Sequence, residues 1–345
     1  MSFAPRVLII RRRYLGDLVL LGSIFRNLRL HWPDAHLAVL VEAGCAGIPP
    51  LHPDVNATLT LPRSLPAWPG FLRRLRRERF THVLDFDNSD KTAFITRLTG
   101  AMLRVTYQRE LVKHRYPSFY THTARVTNAF YDSYHITETY LALLAQLGVP
   151  VVTREVRLVP RPEDLTAVAP LVAGAGRKLL LHPGSRSPFR VWPAERFAAV
   201  CDRLQDELGV QVFVIGGPGD RDTVEKIRTA ARTHMVALEP RLTVGRFAAL
   251  ASQFDLFLCH DSGPMHIAAA VGTPVVALYG SQNAVIWRPV GDNHTVLQTA
   301  LPCPCLPDAP TPCVKTDSYR SYCVRQLTVE QVFDAVAARL KAGRQ

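Results

Sequence analysis

Four short runs of this chain gather acids, hydroxyls, glycines and fixed cations within a few residues of one another. The first is RRRYLGD, Arg11 to Asp17. Gly16 permits close backbone approach. Asp17 follows it at a helix start, where the residue serves either as an N-cap or as a general base at the mouth of a cleft. The second is HPGSRSPFRVWP, from His182 to Pro193. Gly184 and Ser185 offer backbone and hydroxyl donors, and Arg186 and Arg190 bring permanent charge, a set suited to a phosphate or pyrophosphate at a helix start. Trp192 reads as packing. The third is GGPGD, Gly216 to Asp220. It is a tight turn capped by Asp220, or a turn whose carboxylate accepts from ligand hydroxyls. The fourth, HDSGPMHIAAAVGTP, places Asp261, Ser262 and Gly263 at a helix start and His266 on its first turn. Asp261 and His266 are spaced for an ion pair or a shared ligand.

Cysteines form a further constellation. Cys45, Cys201 and Cys259 lie in or near apolar sequence and read as small buried hydrophobes. Cys303, Cys305, Cys313 and Cys323 crowd into a proline-rich stretch as CPC-x7-C-x9-C. Clustered thiols in a chain that stays inside the cell point to metal before disulfides. Four thiolates suit structural zinc or iron in a tetrahedral site. Disulfides and reduced thiols remain open alternatives.

The elements that must position these residues follow from hydrophobic periodicity. Short apolar runs at Val7–Ile10, Leu37–Val41, Thr81–Phe86, Lys178–His182, Val210–Ile215, Leu256–Cys259 and Val275–Tyr279 read as strands. Between them lie amphipathic segments, among them Leu18–Leu28, Ile136–Leu147, Ala194–Leu208, Arg221–Arg232, Thr243–Gln253 and Met265–Val271. Thr328–Leu340 is a last helix, with Thr328 as N-cap and Gln331 three residues on. Residues 107–134 are polar and aromatic and read as functional loops. Such alternation implies an α/β chain with parallel sheets covered on both faces. Pro- and Gly-rich residues 151–176 divide it into domains 1–165 and 166–345. Ligands of doubly wound sheets bind beyond the carboxyl ends of the strands, where the four runs fall.

Length and composition agree. The chain has 345 residues, 48% hydrophobic and 20% charged, enough for two cored domains. No apolar stretch approaches the ~18 residues of a membrane span, and the start MSFAPRVLIIRRR lacks a secretory signal, so a cytoplasmic protein is expected. The first turn lacks G-x-G-x-x-G and the second domain lacks a P-loop, which argues against dinucleotide oxidoreductases and P-loop NTPases. The formal charge is +12, with 22 basic against 14 acidic residues in 1–165. This surplus suggests an anionic partner. Nucleic acid is not expected, since no RNP-like, zinc-finger or helix-turn-helix pattern stands out. The run RRLRRER within Leu65–Arg79 reads on its own as a solvated helix face.

The stretches RVLIIRRRYLGDLVLLGSIFRNLRLHWPDAHL, LLLHPGSRSPFRVWPAERFAAV, VFVIGGPGDRD and DLFLCHDSGPMHIAAAVGTPVVALYG occur in the order known from one family. In them the chain resembles the family 9 glycosyltransferases, the heptosyltransferases of the lipopolysaccharide inner core. The resemblance implies a GT-B architecture, two Rossmann-like domains facing a cleft, with the closing helix 328–340 crossing back toward the first. It implies inverting transfer from a nucleotide-activated heptose, typically ADP-heptose, to a phosphorylated lipid-linked saccharide, with peripheral contact at the cytoplasmic face of the inner membrane. The family's catalytic aspartate falls on Asp17. Its donor-binding residues fall on Ser185, Arg186, Arg190, Asp220, Asp261, Ser262, Gly263 and His266. Arg11, Arg13 and Gly16 in the first loop are the acceptor-binding candidates. Where the family commonly has lysine two before Trp192, this chain has Arg190, which keeps charge but changes geometry. The loop RRRYLGD leans toward the branch that adds the side-branch heptose. Some relatives that modify autotransporters resemble the cysteine run in carrying cysteine-bound iron.

Asp17 would then take the acceptor proton, while Arg186, Arg190 and the helix start at Ser262–Gly263 stabilise the departing diphosphate without a metal. No cofactor is expected for the chemistry, and the run Asp85-Phe86-Asp87 reads as a chance D-x-D match. The alternatives are a related transferase using another nucleotide sugar or a protein acceptor, and a non-catalytic nucleotide-sugar-binding protein.

Overall fold

The structure is a computed structural model that describes residues 4–112, 116–185, 190–217, 219–238, 242–280, 282–298 and 323–343. The chain forms two compact units, Met1–Val159 and Pro160–Gln345.

In the first unit, β1 (Arg6–Ile10) leads through α1 (Leu15–Leu20) and α2 (Gly22–His31) to β2 (His36–Val41) and then β3 (Ala57–Thr60). α3 (Trp68–Arg77) returns the chain to β4 (His82–Asp85), and α4 (Asp90–Leu98) leads to β5 (Leu103–Arg109). β6 (His122–Val126), α5 (Asn128–Ser133) and α6 (Ile136–Ala145) complete the unit. The six strands are all parallel, in the order β3-β2-β1-β4-β5-β6. Strand order therefore reverses between β1 and β4. The central strands are apolar because both faces are covered: Val7, Leu8, Ile9 and Ile10 are fully buried, as are Leu37, Val39, Leu40 and Val41.

The second unit begins with α7 (Pro162–Val168), which packs against α10 of the same unit. The unit then runs β7 (Lys178–His182), α8 (Ala194–Leu208), β8 (Gln211–Val214), α9 (Arg221–Ala230), β9 (Val236–Ala237) and α10 (Val244–Ala251). It continues with β10 (Leu256–His260), α11 (Gly263–Ala270), β11 (Val275–Leu278), α12 (Ala284–Trp287), β12 (Thr295–Leu297) and α13 (Val329–Ala342). Its parallel order, β12-β11-β10-β7-β8-β9, reverses between β10 and β7.

α8 shows how the sequence makes these elements. Phe197, Val200, Cys201 and Leu204 recur at helical spacing and are fully buried against the sheet. Each such side chain contributes roughly 1.5–3 kcal/mol. The helix stops at Gly209, whose φ of 63° suits a residue without Cβ. α13 packs on α8, and its start is the expected capping box: Gln331 N–H donates to Thr328 Oγ1 at 3.2 Å and Thr328 N–H to Gln331 Oε1 at 2.9 Å.

The two-sheet α/β fold is the expected one. Several elements escape the apolar-run reading. Residues 107–134, expected as loops, contain the end of β5, all of β6 and α5. β5 and β6 are half-buried and polar because they lie at and next to the sheet edge. Cys45, Cys201 and Cys259 are buried as expected.

Candidate functional site

The sheet orders put two residue clusters at the carboxyl side of the two reversal points, the place where such sheets hold ligands. In the first unit, the loop after β1 turns sharply. Tyr14 precedes α1 with φ 70°, and Asn88, after β4, has φ 45°. Non-glycine residues held there store roughly 1–3 kcal/mol each and concentrate at functional sites.

Asp17 is 7% exposed and occupies the third position of α1, so it does not cap the helix; Tyr14 is the N-cap residue. Its carboxylate is held by side chains from two other segments. Arg11 Nη2 donates to Asp17 Oδ1 at 2.5 Å, and Tyr140 Oη, from α6, donates to the same oxygen at 2.5 Å. Among the described residues, no hydrogen bond reaches Oδ2.

Arg11 is itself braced. Its Nη1 donates to the Phe86 carbonyl at 2.7 Å and lies 3.4 Å from Asp87 Oδ1. Burial opposes the Arg11 charge, but Tyr140, Asp17 and Asp87 outweigh it and raise its pKa above the ordinary arginine value. Burial, followed by the charge on Asp17, pushes the Tyr140 hydroxyl well above its usual value, so it remains a donor. Arg12 pairs with Asp87 at 2.7 Å and with Glu42 at 3.2 Å, and Arg13 pairs with Glu42 at 3.0 Å.

The D-x-D run straddles the carboxyl end of β4, and its carboxylates are spent on protein donors. Asp85 is fully buried, accepting from Tyr120 Oη at 2.7 Å and from the Asp87 and Asn88 amides at 2.9 and 3.1 Å. Burial pushes its pKa up to about 6. Asp87, Glu42 and Tyr140 are site residues that sequence reasoning missed. The strand-end position of Asp87 was the available signal; Tyr140 had none, since it reads as an ordinary core aromatic.

In the second unit, β7 delivers Gly184 and Ser185, and β10 delivers Asp261 and Ser262 on the neighbouring strand. Arg190 Nη1 reaches Asp261 Oδ2 at 3.3 Å. With its amide oxygen turned toward the guanidinium, Gln282 accepts from Arg190 at 2.5 and 3.1 Å. Burial pushes Asp261 up to about 6, against the pull of Arg190. Ser185 Oγ, Ser262 Oγ and Arg190 Nε are buried without a hydrogen-bond partner among the described residues. Ser262 is the N-cap residue of α11, yet its hydroxyl makes no cap bond, and Gly263 and the buried His266 follow on the first turn. Buried polar groups are normally satisfied. Three orphaned donors around one strand-order reversal thus mark a place for a polar ligand.

Asp220 lies at the end of β8's loop. Its Oδ2 accepts from the Gly217 amide at 2.7 Å and stands 4.0 Å from His182 Nε2. Its carboxyl group packs on Gly184, where any Cβ would collide with it. Burial lowers His182, with Asp220 opposing, and burial then His182 drive His260 down to about 3. Neutral His260 Nε2 accepts the Trp192 amide at 2.9 Å, and Trp192 is wholly buried as packing.

Arg186, Cys303, Cys305 and Cys313 lie outside the described residues. Cys323 is buried. Among the described residues no group of three or more His, Cys, Asp or Glu could hold a metal, and no helix is long and apolar enough to cross a membrane.

The profile of glycosyltransferase family 9 (heptosyltransferase) matches residues 69–316. Lipopolysaccharide heptosyltransferase 3 of Escherichia coli is 26% identical over 298 residues, covering 81% of this chain and 85% of its own. A family 9 glycosyl transferase from Veillonella parvula superposes with a TM-score of 0.84 at 21% identity, covering 99% of both chains. The Escherichia coli heptosyltransferase WaaC, solved with ADP, superposes at 0.75 with 19% identity, covering 97% of this chain and 99% of its own.

Proposed function

The chain belongs to glycosyltransferase family 9, and from that premise we propose that it moves a heptose from an ADP-heptose-like donor to a saccharide acceptor of the lipopolysaccharide inner core. The observation that carries the mechanism is Asp17, whose Oδ1 is fixed by Arg11 and Tyr140 while Oδ2 has no hydrogen bond among the described residues. A carboxylate so held is oriented by one oxygen and takes the acceptor hydroxyl proton with the other. The attacking oxygen then displaces the nucleoside diphosphate from the opposite face of the anomeric carbon, which inverts it.

In this reading Arg11 and Arg13 act from the floor of the acceptor site, with Gly16 allowing close approach. Ser185, Arg186, Arg190, Ser262, Gly263 and His266 receive the donor diphosphate. The orphaned Ser185 and Ser262 hydroxyls and the Arg190 guanidinium supply charge-assisted hydrogen bonds to the departing group. Asp220 and Asp261 bound the donor site, Asp220 facing the ribose. The chemistry proposed needs no metal, and Cys303, Cys305, Cys313 and Cys323 are assigned to a structural zinc or iron. The enzyme would work at the cytoplasmic face of the inner membrane on a phosphorylated, lipid-linked acceptor.

The test is a transfer assay with ADP-, GDP- and UDP-activated sugars on isolated core acceptors, with the product anomer read by NMR. Turnover confined to the ADP-heptose and an inverted linkage support the reading. Transfer from a UDP- or GDP-sugar instead, or retention of configuration, overturns it. Arg190→Ala should weaken ADP binding by roughly tenfold or more, on the strength of a charged hydrogen bond.

A further inference from the structure

One feature of the first unit takes no part in that chemistry. α3 and the residues flanking it carry Arg63, Arg73, Arg74, Arg76, Arg77 and Arg79, all exposed. The only acid in residues 63–79 is Glu78, and it is taken by Arg6 in an ion pair at 2.5 Å. Among the described residues none of the six arginines pairs with a carboxylate. Six uncompensated cations within seventeen residues, five of them between 73 and 79, repel one another, and a solvated helix needs no such concentration.

The fold adds what the sequence did not disclose, namely what lies beside this helix. Leu75 of α3 and Ile95 of α4 enter the same hydrophobic cluster with Leu8, Leu40 and Val83, so both helices cover one face of the sheet. Lys91, near the start of α4, lies 5.6 Å from the Trp68 ring at the start of α3. The outer side of α4 presents Lys91, Phe94 and Leu98, spaced three and four residues apart and all exposed. Leu65, just before α3, is 84% exposed. Unpaired arginines thus share one surface with exposed Leu65 and Leu98 and with Phe94, whose half-exposed ring sits beside Tyr116 and Phe119.

We propose that this α3–α4 face seats the protein on an anionic phospholipid surface. Arginines meet headgroup phosphates with fixed, forked donors, while Leu65, Phe94 and Leu98 enter the boundary with the acyl chains. Both halves of the surface are used only by such a partner. A dissolved polyanion would satisfy the arginines and leave the aliphatic side chains in water. The inference extends the membrane location of the proposed function, but it concerns lipid alone and does not depend on which sugar is transferred.

The experiment is flotation of the full chain with phosphatidylcholine vesicles, with and without phosphatidylglycerol, across a salt series. The face predicts binding to the anionic vesicles only, weakening with salt. Arg73→Glu/Arg74→Glu/Arg77→Glu should reduce partitioning by roughly a hundredfold or more, since each basic residue near the surface counts for about a factor of five. Leu65→Ser/Phe94→Ser should leave the low-salt encounter largely in place and lose the salt-resistant part. Circular dichroism and the melting temperature confirm that both variants remain folded, independently of any transferase assay. Equal binding to neutral vesicles, unchanged partitioning of the triple variant, or tighter binding to duplex DNA than to anionic vesicles at equal salt would overturn the proposal.

Discussion

At the scale of single residues, the account turns on how Asp17 is held. From its own position in the sequence it read first as a helix cap, and only the fold shows its carboxylate turned from the helix end toward Arg11 and Tyr140. Tyr140 lies 123 residues away in sequence, and no local pattern connects the two. Tyr140→Phe removes one of the two donors to Oδ1 and keeps the ring packed against Phe86. A hydrogen bond to a charged group is worth roughly 1.5–3 kcal/mol, so kcat should fall about tenfold to a hundredfold. The donor KM should stay within about twofold, because in the proposed mechanism that interaction orients the base rather than binding the donor. A matching rise in donor KM would assign Tyr140 to substrate binding.

At the scale of elements, what the sequence disclosed follows burial. Strands covered on both faces, such as LLL in β7 and LFLC in β10, are unbroken apolar runs and were legible. β5, LRVTYQR, buries only its middle and interleaves charge, so it gave no run. α4 was missed for a different reason. Its capping box uses Thr92 where the usual signature has Glu or Gln: Ser89 N–H donates to Thr92 Oγ1 at 2.9 Å and Thr92 N–H to Ser89 Oγ at 3.3 Å. The strand-end loops were the most legible part of the site, because acids, glycines and hydroxyls interrupt otherwise apolar sequence there.

The end of β4 also carries a stability prediction. Asp85 has a folded pKa of about 6 against an ordinary value of 3.8, raised by burial. A carboxyl raised in this way binds its proton more tightly folded than unfolded. Its contribution is complete below about pH 4 and is lost as pH rises through 6, costing up to about 3 kcal/mol at neutral pH. Asp85→Asn should therefore flatten the change in melting temperature between pH 4 and pH 7. An unaltered pH profile would place the titration elsewhere. The cysteine run makes a separate prediction: protein purified without a metal-affinity tag should carry roughly one zinc or iron per chain. Less than about 0.2 metal per chain, with the four thiols titrating freely under denaturant, would remove that assignment.

At the scale of the whole molecule, each unit is a parallel sheet whose order reverses once, and each reversal point carries one of the two clusters. Two α/β units were legible from alternation alone. The reversals were not, because strand order depends on which side of β1 or β7 a later strand joins, and no local residue records that choice. The proposed mechanism gives the two clusters separate work. The first holds a carboxylate with one oxygen fixed, and the second holds orphaned donors suited to a diphosphate. If that division is right, removing the base should stop transfer and leave nucleotide binding untouched. The direct measurement is single-turnover heptose transfer by Asp17→Asn beside its ADP dissociation constant. The account predicts a loss of about two orders of magnitude or more in the transfer rate, with ADP affinity within about twofold of the parent. Transfer within about threefold of the parent would contradict it and leave Asp17 a structural partner of Arg11 and Tyr140.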